Sequence, residues 1–119
     1  MHIKLFDSEL KVMSVLWEKG DSTAKQISDI LNKETGWNVN TTYTVIKKCI
    51  AKGAIERREP NFVCHALLSR EQVQATETDE LIDKIYGGSA EMLFASLLSR
   101  KKLSDRQIED LKQLVREGR

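Results

Sequence analysis

The stretch Asn40-Thr41-Thr42-Tyr43-Thr44-Val45-Ile46-Lys47-Lys48-Cys49-Ile50-Ala51-Lys52-Gly53-Ala54-Ile55-Glu56-Arg57-Arg58 decides how the rest of the chain is read. Thr42, Val45, Ile46, Cys49, Ile50 and Gly53 recur at helical spacing and fall within one arc at about 100° per residue. That arc faces a core. Asn40, Thr44, Lys47, Lys48 and Ala51 fall on the opposite side and form a short, polar, basic ridge with no acid among them. Asn40 suits an N-cap and Gly53 a stop, and Ala54 to Arg58 then alternates like a strand. Five basic residues (Lys47, Lys48, Lys52, Arg57, Arg58) stand against Glu56 alone, a local +4 in a chain of net charge +1. Any binding to a polyanion must come from such clustering, because the chain as a whole is balanced.

Upstream, Leu10, Met13, Leu16 and Trp17, widened by Val12 and Val15, predict a helix from Leu5 to Lys19, capped by Asp7 or Ser8 and closed by Gly20. Thr23 and Gln26 have capping-box spacing, and Ala24, Ile27, Ile30 and Leu31 predict a second helix reaching Lys33. Gly36 provides the turn into the third, and Trp37 in that turn is placed either against the third helix or toward the backbone of a bound nucleic acid. Downstream, Ile55 to Arg58 and Phe62 to Leu67 read as two strands joined through Glu59-Pro60-Asn61. Three helices followed by a basic hairpin is the order of a winged helix-turn-helix, whose third helix enters the major groove while the wing lies along phosphates.

From Ser69 the character changes. Ser69 with Gln72, and Ser104 with Gln107, have capping-box spacing, and three amphipathic helices are expected. Their apolar sides carry Leu81, Ile85, Leu93, Phe94, Leu97, Leu98, Ile108, Leu111, Leu114 and Val115. Residues 69 to 119 hold nine basic and ten acidic side chains, a net of −1, so this part is not built for DNA. Three short helices cannot bury those faces by themselves, which predicts a homodimer. The chain is therefore expected to be mainly α with a small antiparallel β-hairpin: residues 1–68 a winged helix-turn-helix domain, residues 69–119 a C-terminal α-helical dimerisation region.

Other classes find little support. The two cysteines, Cys49 and Cys64, do not have metal-site spacing, neighbouring Cys64 and His65 point to opposite faces of a strand, and His2 adds too little for a zinc site. Cys49 is expected as a buried small hydrophobe. No nucleophilic triad, paired carboxylate or phosphate loop appears, so neither an enzyme nor a cofactor is expected. No secretory segment or long apolar run is present, which predicts a cytoplasmic protein with reduced thiols and no membrane insertion.

The segments FDSELKVMSVLWEKGDSTAKQIS, TGWNVNTTYTVIKKCIAKGAIERR and IDKIYGGSAEMLFASLL resemble, in order and over nearly the whole chain, the penicillinase repressor family of bacterial transcription regulators. That family includes the beta-lactamase, methicillin-resistance and copper-responsive repressors. The resemblance implies a repressor that binds a palindromic double-stranded DNA operator as a homodimer. It places Thr41, Thr44, Lys47 and Lys48 on the recognition helix, Tyr43 beside it, and Arg57 or Arg58 near the wing; Asn40, on the same polar ridge, joins the residues expected to meet DNA. In the beta-lactam branch a membrane sensor protease cuts an Asn-Phe bond. Counting from Gly87-Gly88, that bond falls at Ser96-Leu97 here, without the asparagine or the aromatic. The copper branch ends in paired cysteines, and none follows Cys64, so the inducing signal stays open. Two rivals remain at this stage: a winged helix used for protein contact, and a ligand- or metal-sensing regulator.

Overall fold

A computed structural model of the chain describes residues 3–118; His2 lies outside them. The first helix, α1 (Asp7–Lys19), starts one residue earlier than its polar residues suggest. Neither Asp7 nor Ser8 caps it: Phe6 is the N-cap, and its backbone N–H donates to Glu9 Oε1 at 2.7 Å. Gly20, at φ 80°, closes the helix in a conformation that glycine adopts without strain. Strand β1 (Ser22–Thr23) follows, then α2 (Ala24–Thr35). The expected capping box holds: Thr23 Oγ1 accepts from Gln26 N, and Gln26 Oε1 accepts from Thr23 N. Gly36 ends α2 in the left-handed region, and α3 (Val39–Ala51) begins after a three-residue turn.

Two further strands, β2 (Ile55–Arg58) and β3 (Val63–Ala66), pair antiparallel, with Glu56 opposite His65 and Arg57 opposite Cys64. The hairpin is not alone. β1 adds to the other edge of β3, Ser22 opposite Cys64 and Thr23 opposite Val63, giving a three-stranded sheet of order β1-β3-β2. Two residues are too few for an alternating pattern to show in a sequence. In the turn, Asn61 and Phe62 have positive φ (74° and 53°). Asn tolerates that region, whereas a bulky aromatic occupies it only when its surroundings hold it there.

The core under these elements is the one the helical arcs predict. Val12, Met13, Val15 and Leu16 of α1, Ala24, Ile27 and Leu31 of α2, and Val45, Ile46 and Cys49 of α3 are buried together with Ile55 and Cys64. Trp17, Trp37 and Tyr43 pack against that cluster, and Trp17 Nε1 donates to Leu68 O at 2.8 Å.

Beyond the sheet come α4 (Arg70–Ile85), α5 (Ala90–Ser99) and α6 (Asp105–Arg116). By backbone contacts the chain divides within α4, a first unit running to Thr76 and a second from Glu77. Ser69 and Ser104 cap α4 and α6 in reciprocal boxes with Gln72 and Gln107, as their spacing predicts. Ser89 caps α5 by accepting from Met92 N. In the second unit no residue of α5 or α6 is fully buried.

At the end of α5, Lys101 sits at φ 56° while Lys102 N donates to Leu97 O at 2.9 Å, a closing turn that favours glycine. Lys101→Gly is accordingly expected to raise stability by about 0.5–1 kcal/mol, the strain removed at a left-handed site less the added chain entropy. Chemical denaturation of both chains would show it, and a lower midpoint for the variant would contradict it.

Candidate nucleic-acid interface

The sequence of α3 sorts itself by burial. Thr42, Val45, Ile46 and Cys49 are buried, while Asn40, Thr41, Thr44, Lys47, Lys48 and Ala51 are exposed. The N-cap differs from expectation. It is Asn38, whose Oδ1 accepts from Thr41 N at 2.8 Å, so Asn40 is the second helical residue. Both asparagines suit a cap by residue type; Asn40, inside the helix, accepts from the Thr44 hydroxyl on its carbonyl oxygen at 2.8 Å. Asn32 Nδ2 donates to Trp37 O at 3.0 Å and Thr42 Oγ1 to Asn38 O at 3.3 Å. The first turn of α3 is thus fixed from both sides before any ligand arrives.

Lys47 and Lys48 have no ion-pair partner among the described residues, as the acid-free ridge predicts. The other three cations of the stretch behave differently. Lys52 turns inward: its Nζ lies 2.7 Å from Glu9 Oε1, donates to Lys4 O at 2.8 Å and stands 4.3 Å from the Phe6 ring centroid. Glu9 is only 2% exposed. Burial alone would raise its pKa, but the Lys52 and Phe6 hydrogen bonds together outweigh it and hold the carboxyl below its ordinary value. This ammonium ties the C-terminal end of α3 to the start of α1, and its charge is matched within the protein. The clue in the sequence is the three-residue spacing of Phe6 and Glu9, which lets a carboxylate reach back to the N-cap amide.

On the wing, both arginines are matched by acids of their own chain. Arg57 pairs with Glu59, whose carboxyl is lowered by that hydrogen bond. Arg58 Nε lies 2.7 Å from Glu56 Oε1, and its Nη1 lies 3.6 Å from Asp21 Oδ2. Asp21 also meets His65 Nδ1 at 2.8 Å. Of the five cations in the linear stretch, Lys47 and Lys48 are therefore the two without an acid partner among the described residues. A count along 40–58 misses this because Glu59 and Asp21 lie outside it and are brought in by the turn and by β1.

The helix α3 and the wing are joined by an aromatic contact. Tyr43 meets Phe62 edge to face, with centroids 5.8 Å apart, and the Arg57 guanidinium lies over the Phe62 ring at 3.7 Å. Phe62, which sequence reasoning did not single out, is what fastens the wing to α3. Cys49 and Cys64 are both buried and free. Burial pushes the Cys49 thiol up to about 12, with the Glu9 carboxylate adding to the shift, and the Cys64 thiol up to about 11, so neither carries appreciable thiolate near neutrality. Among the described residues, no group of three or more His, Cys, Asp or Glu could hold a metal ion, and no helix is long and apolar enough to cross a membrane.

Three helices, the β1-β3-β2 sheet and a third helix with an outward polar face define a winged helix-turn-helix protein. The penicillinase repressor model matches residues 5–117, and the chain belongs to that family. It is 25% identical over 114 residues to the methicillin resistance regulatory protein MecI of Staphylococcus aureus strain N315, covering 94% of this chain and 93% of that one. To the penicillinase repressor of Bacillus licheniformis it is 23% identical over 116 residues, 96% and 91% of the two chains. Among solved structures it is similar to the DNA binding domain of the repressor BlaI, with TM-score 0.54 and 25% identity over 58% of this chain and 87% of that domain. A second match is the monomeric form of Bacillus licheniformis BlaI in complex with the blaP half-operator, with TM-score 0.53, 25% identity and the same coverage.

Proposed function

We propose that the chain is a transcriptional repressor that binds a palindromic operator as a homodimer. The observation that carries this reading is the outer face of α3, where Asn40, Thr41, Thr44, Lys47 and Lys48 are exposed and neither lysine is matched by an acid. Lysines reach guanine acceptors or phosphates, and hydroxyls and the carboxamide meet base edges or backbone. Tyr43, half-buried against Phe62, flanks that face; Arg57 and Arg58 reach phosphates by exchanging their carboxylate partners. A structure of BlaI in complex with half an operator, similar in fold to this chain, supports the DNA-binding reading.

The second unit supports the dimer. Ile85 is 69% and Val115 75% exposed in a single copy, and Leu81, Phe94, Leu98 and Leu114 are exposed as well. A mostly apolar groove of about 230 Å³, lined by Phe94, Leu98, Ile108, Leu111 and Val115 together with Lys112, opens on this unit. Leu93 and Leu97 are half-buried beside it in sequence. A second copy laid on these helices would cover that surface, and residues 69–119 are read as the dimerisation region. In this reading the operator is released when the C-terminal helices separate. A sensor protease cutting at Ser96-Leu97 would achieve this only after α5 unwound, because the bond lies inside that helix.

Selection from random duplexes tests the reading. Enriched sequences are expected to be inverted repeats with half-site centres about one helical turn apart, bound by two chains. A duplex carrying one half-site should bind at least about 100-fold more weakly, having lost half its phosphate and base contacts. Selected sequences lacking two-fold symmetry, or one chain per duplex, would refute it.

A further inference from the structure

The first residue of α3, Val39, is 59% exposed. A β-branched side chain is a poor choice for an exposed helical position, and here most of it stays open to solvent, the covered part lining a hollow with Ser28, Asp29, Asn32 and Lys33 of α2. Its exposure is not slack in the chain. Asn38 caps the helix immediately before it, Asn32 holds the Trp37 carbonyl, and Thr42 bonds back to Asn38 O, so the Val39 backbone is fixed on either side. Val39, Tyr43 and Lys47 follow at four-residue steps and form one ridge along the helix. An isopropyl group is thereby held at the leading end of a ridge that finishes in an unmatched cation.

The N-terminal residues of a recognition helix are the ones that meet base edges. In the major groove the apolar feature on those edges is the thymine 5-methyl group, which side chains such as alanine and phenylalanine contact. We propose that Val39 is a specificity-determining residue that packs against the 5-methyl of one thymine in each half-site. The proposal rests on the DNA-binding reading given above and adds to it the base that this position selects.

The test uses the full-length dimer and the inverted repeat obtained by selection. Each symmetric pair of thymines is replaced in turn by deoxyuridine, which removes the methyl and nothing else. One pair is expected to weaken binding about fourfold per half-site, the factor that burial of one methyl supplies. In Val39→Ala that same pair should lose its sensitivity while penalties at other positions stay as they are. Val39→Thr, which keeps one methyl, should retain part of the penalty. Melting temperatures of both variants report that the fold is intact. Uracil penalties identical in wild type and Val39→Ala at every position would overturn the assignment while leaving DNA binding in place. Failure of the wild type to bind any duplex would overturn the DNA-binding reading, and this inference with it.

Discussion

Glu9→Ala is expected to cost about 3 kcal/mol of stability, toward the lower end of what breaking a buried ion pair entails. The carboxylate is almost wholly buried, whereas Lys52 is 29% exposed and can move its ammonium toward water, so the full penalty of an orphaned charge does not fall due. The loss has three parts: the Lys52 contact, the acceptor for the Phe6 N-cap amide, and the volume of the side chain itself. Glu9→Gln separates charge from shape, since its amide oxygen still accepts from Phe6 N. Because the folded pKa of Glu9 is depressed, its electrostatic contribution is fully present above the unfolded value of about 4.5 and is lost as pH falls through the folded pKa. Urea denaturation should therefore find the gap between wild type and Glu9→Gln wide at pH 7 and narrower at pH 3. A gap independent of pH would mean that the pair is not the source of the stability.

The second large effect is on DNA. Lys47→Ala with Lys48→Ala removes four cations from a dimer, and if they lie on phosphates the slope of log affinity against log salt should flatten by about 0.9 for each, or roughly 3–4 in all. Affinity near 0.1 M salt should fall by about two orders of magnitude. Arg57→Ala with Arg58→Ala removes the same formal charge but takes the arginine partners from Glu56, Glu59 and Asp21; its expected effect on the slope is smaller, because those arginines are already matched within the protein. Titration of both double variants at several salt concentrations decides the order. If the arginine pair proved the more costly, the wing rather than α3 would be the main electrostatic contact.

Much of this architecture is legible in the linear chain, because periodicity and capping are local. The buried arcs of α1, α2 and α3 and the boxes at Thr23, Ser69 and Ser104 all appear where spacing alone puts them. What escapes is non-local. The β1 pairing is too short to register, and Asn38 and Asn40 are equivalent by type until the turn after Gly36 is built. Lys52 looks like its neighbours Lys47 and Lys48 until the fold brings up Glu9, 43 positions away. Charge read along a segment overstates charge on a surface for this reason: sequence distance does not report which acids the fold supplies.

Thr23 is at once the last residue of β1 and the N-cap of α2, and the next amide, Ala24 N, donates to Phe62 O at 3.0 Å in the turn of the wing. Chain length between Gly20 and Ala24 is consequently set to the residue. One amino acid inserted there would either break register with Val63 or turn α2 by about 100°, carrying Ile27 and Leu31 out of the interior. A change of length in this short bridge is thus expected to unfold the domain, whereas at the Gly87-Gly88 turn a side-chain carbon added at either glycine would meet no atom within 4 Å.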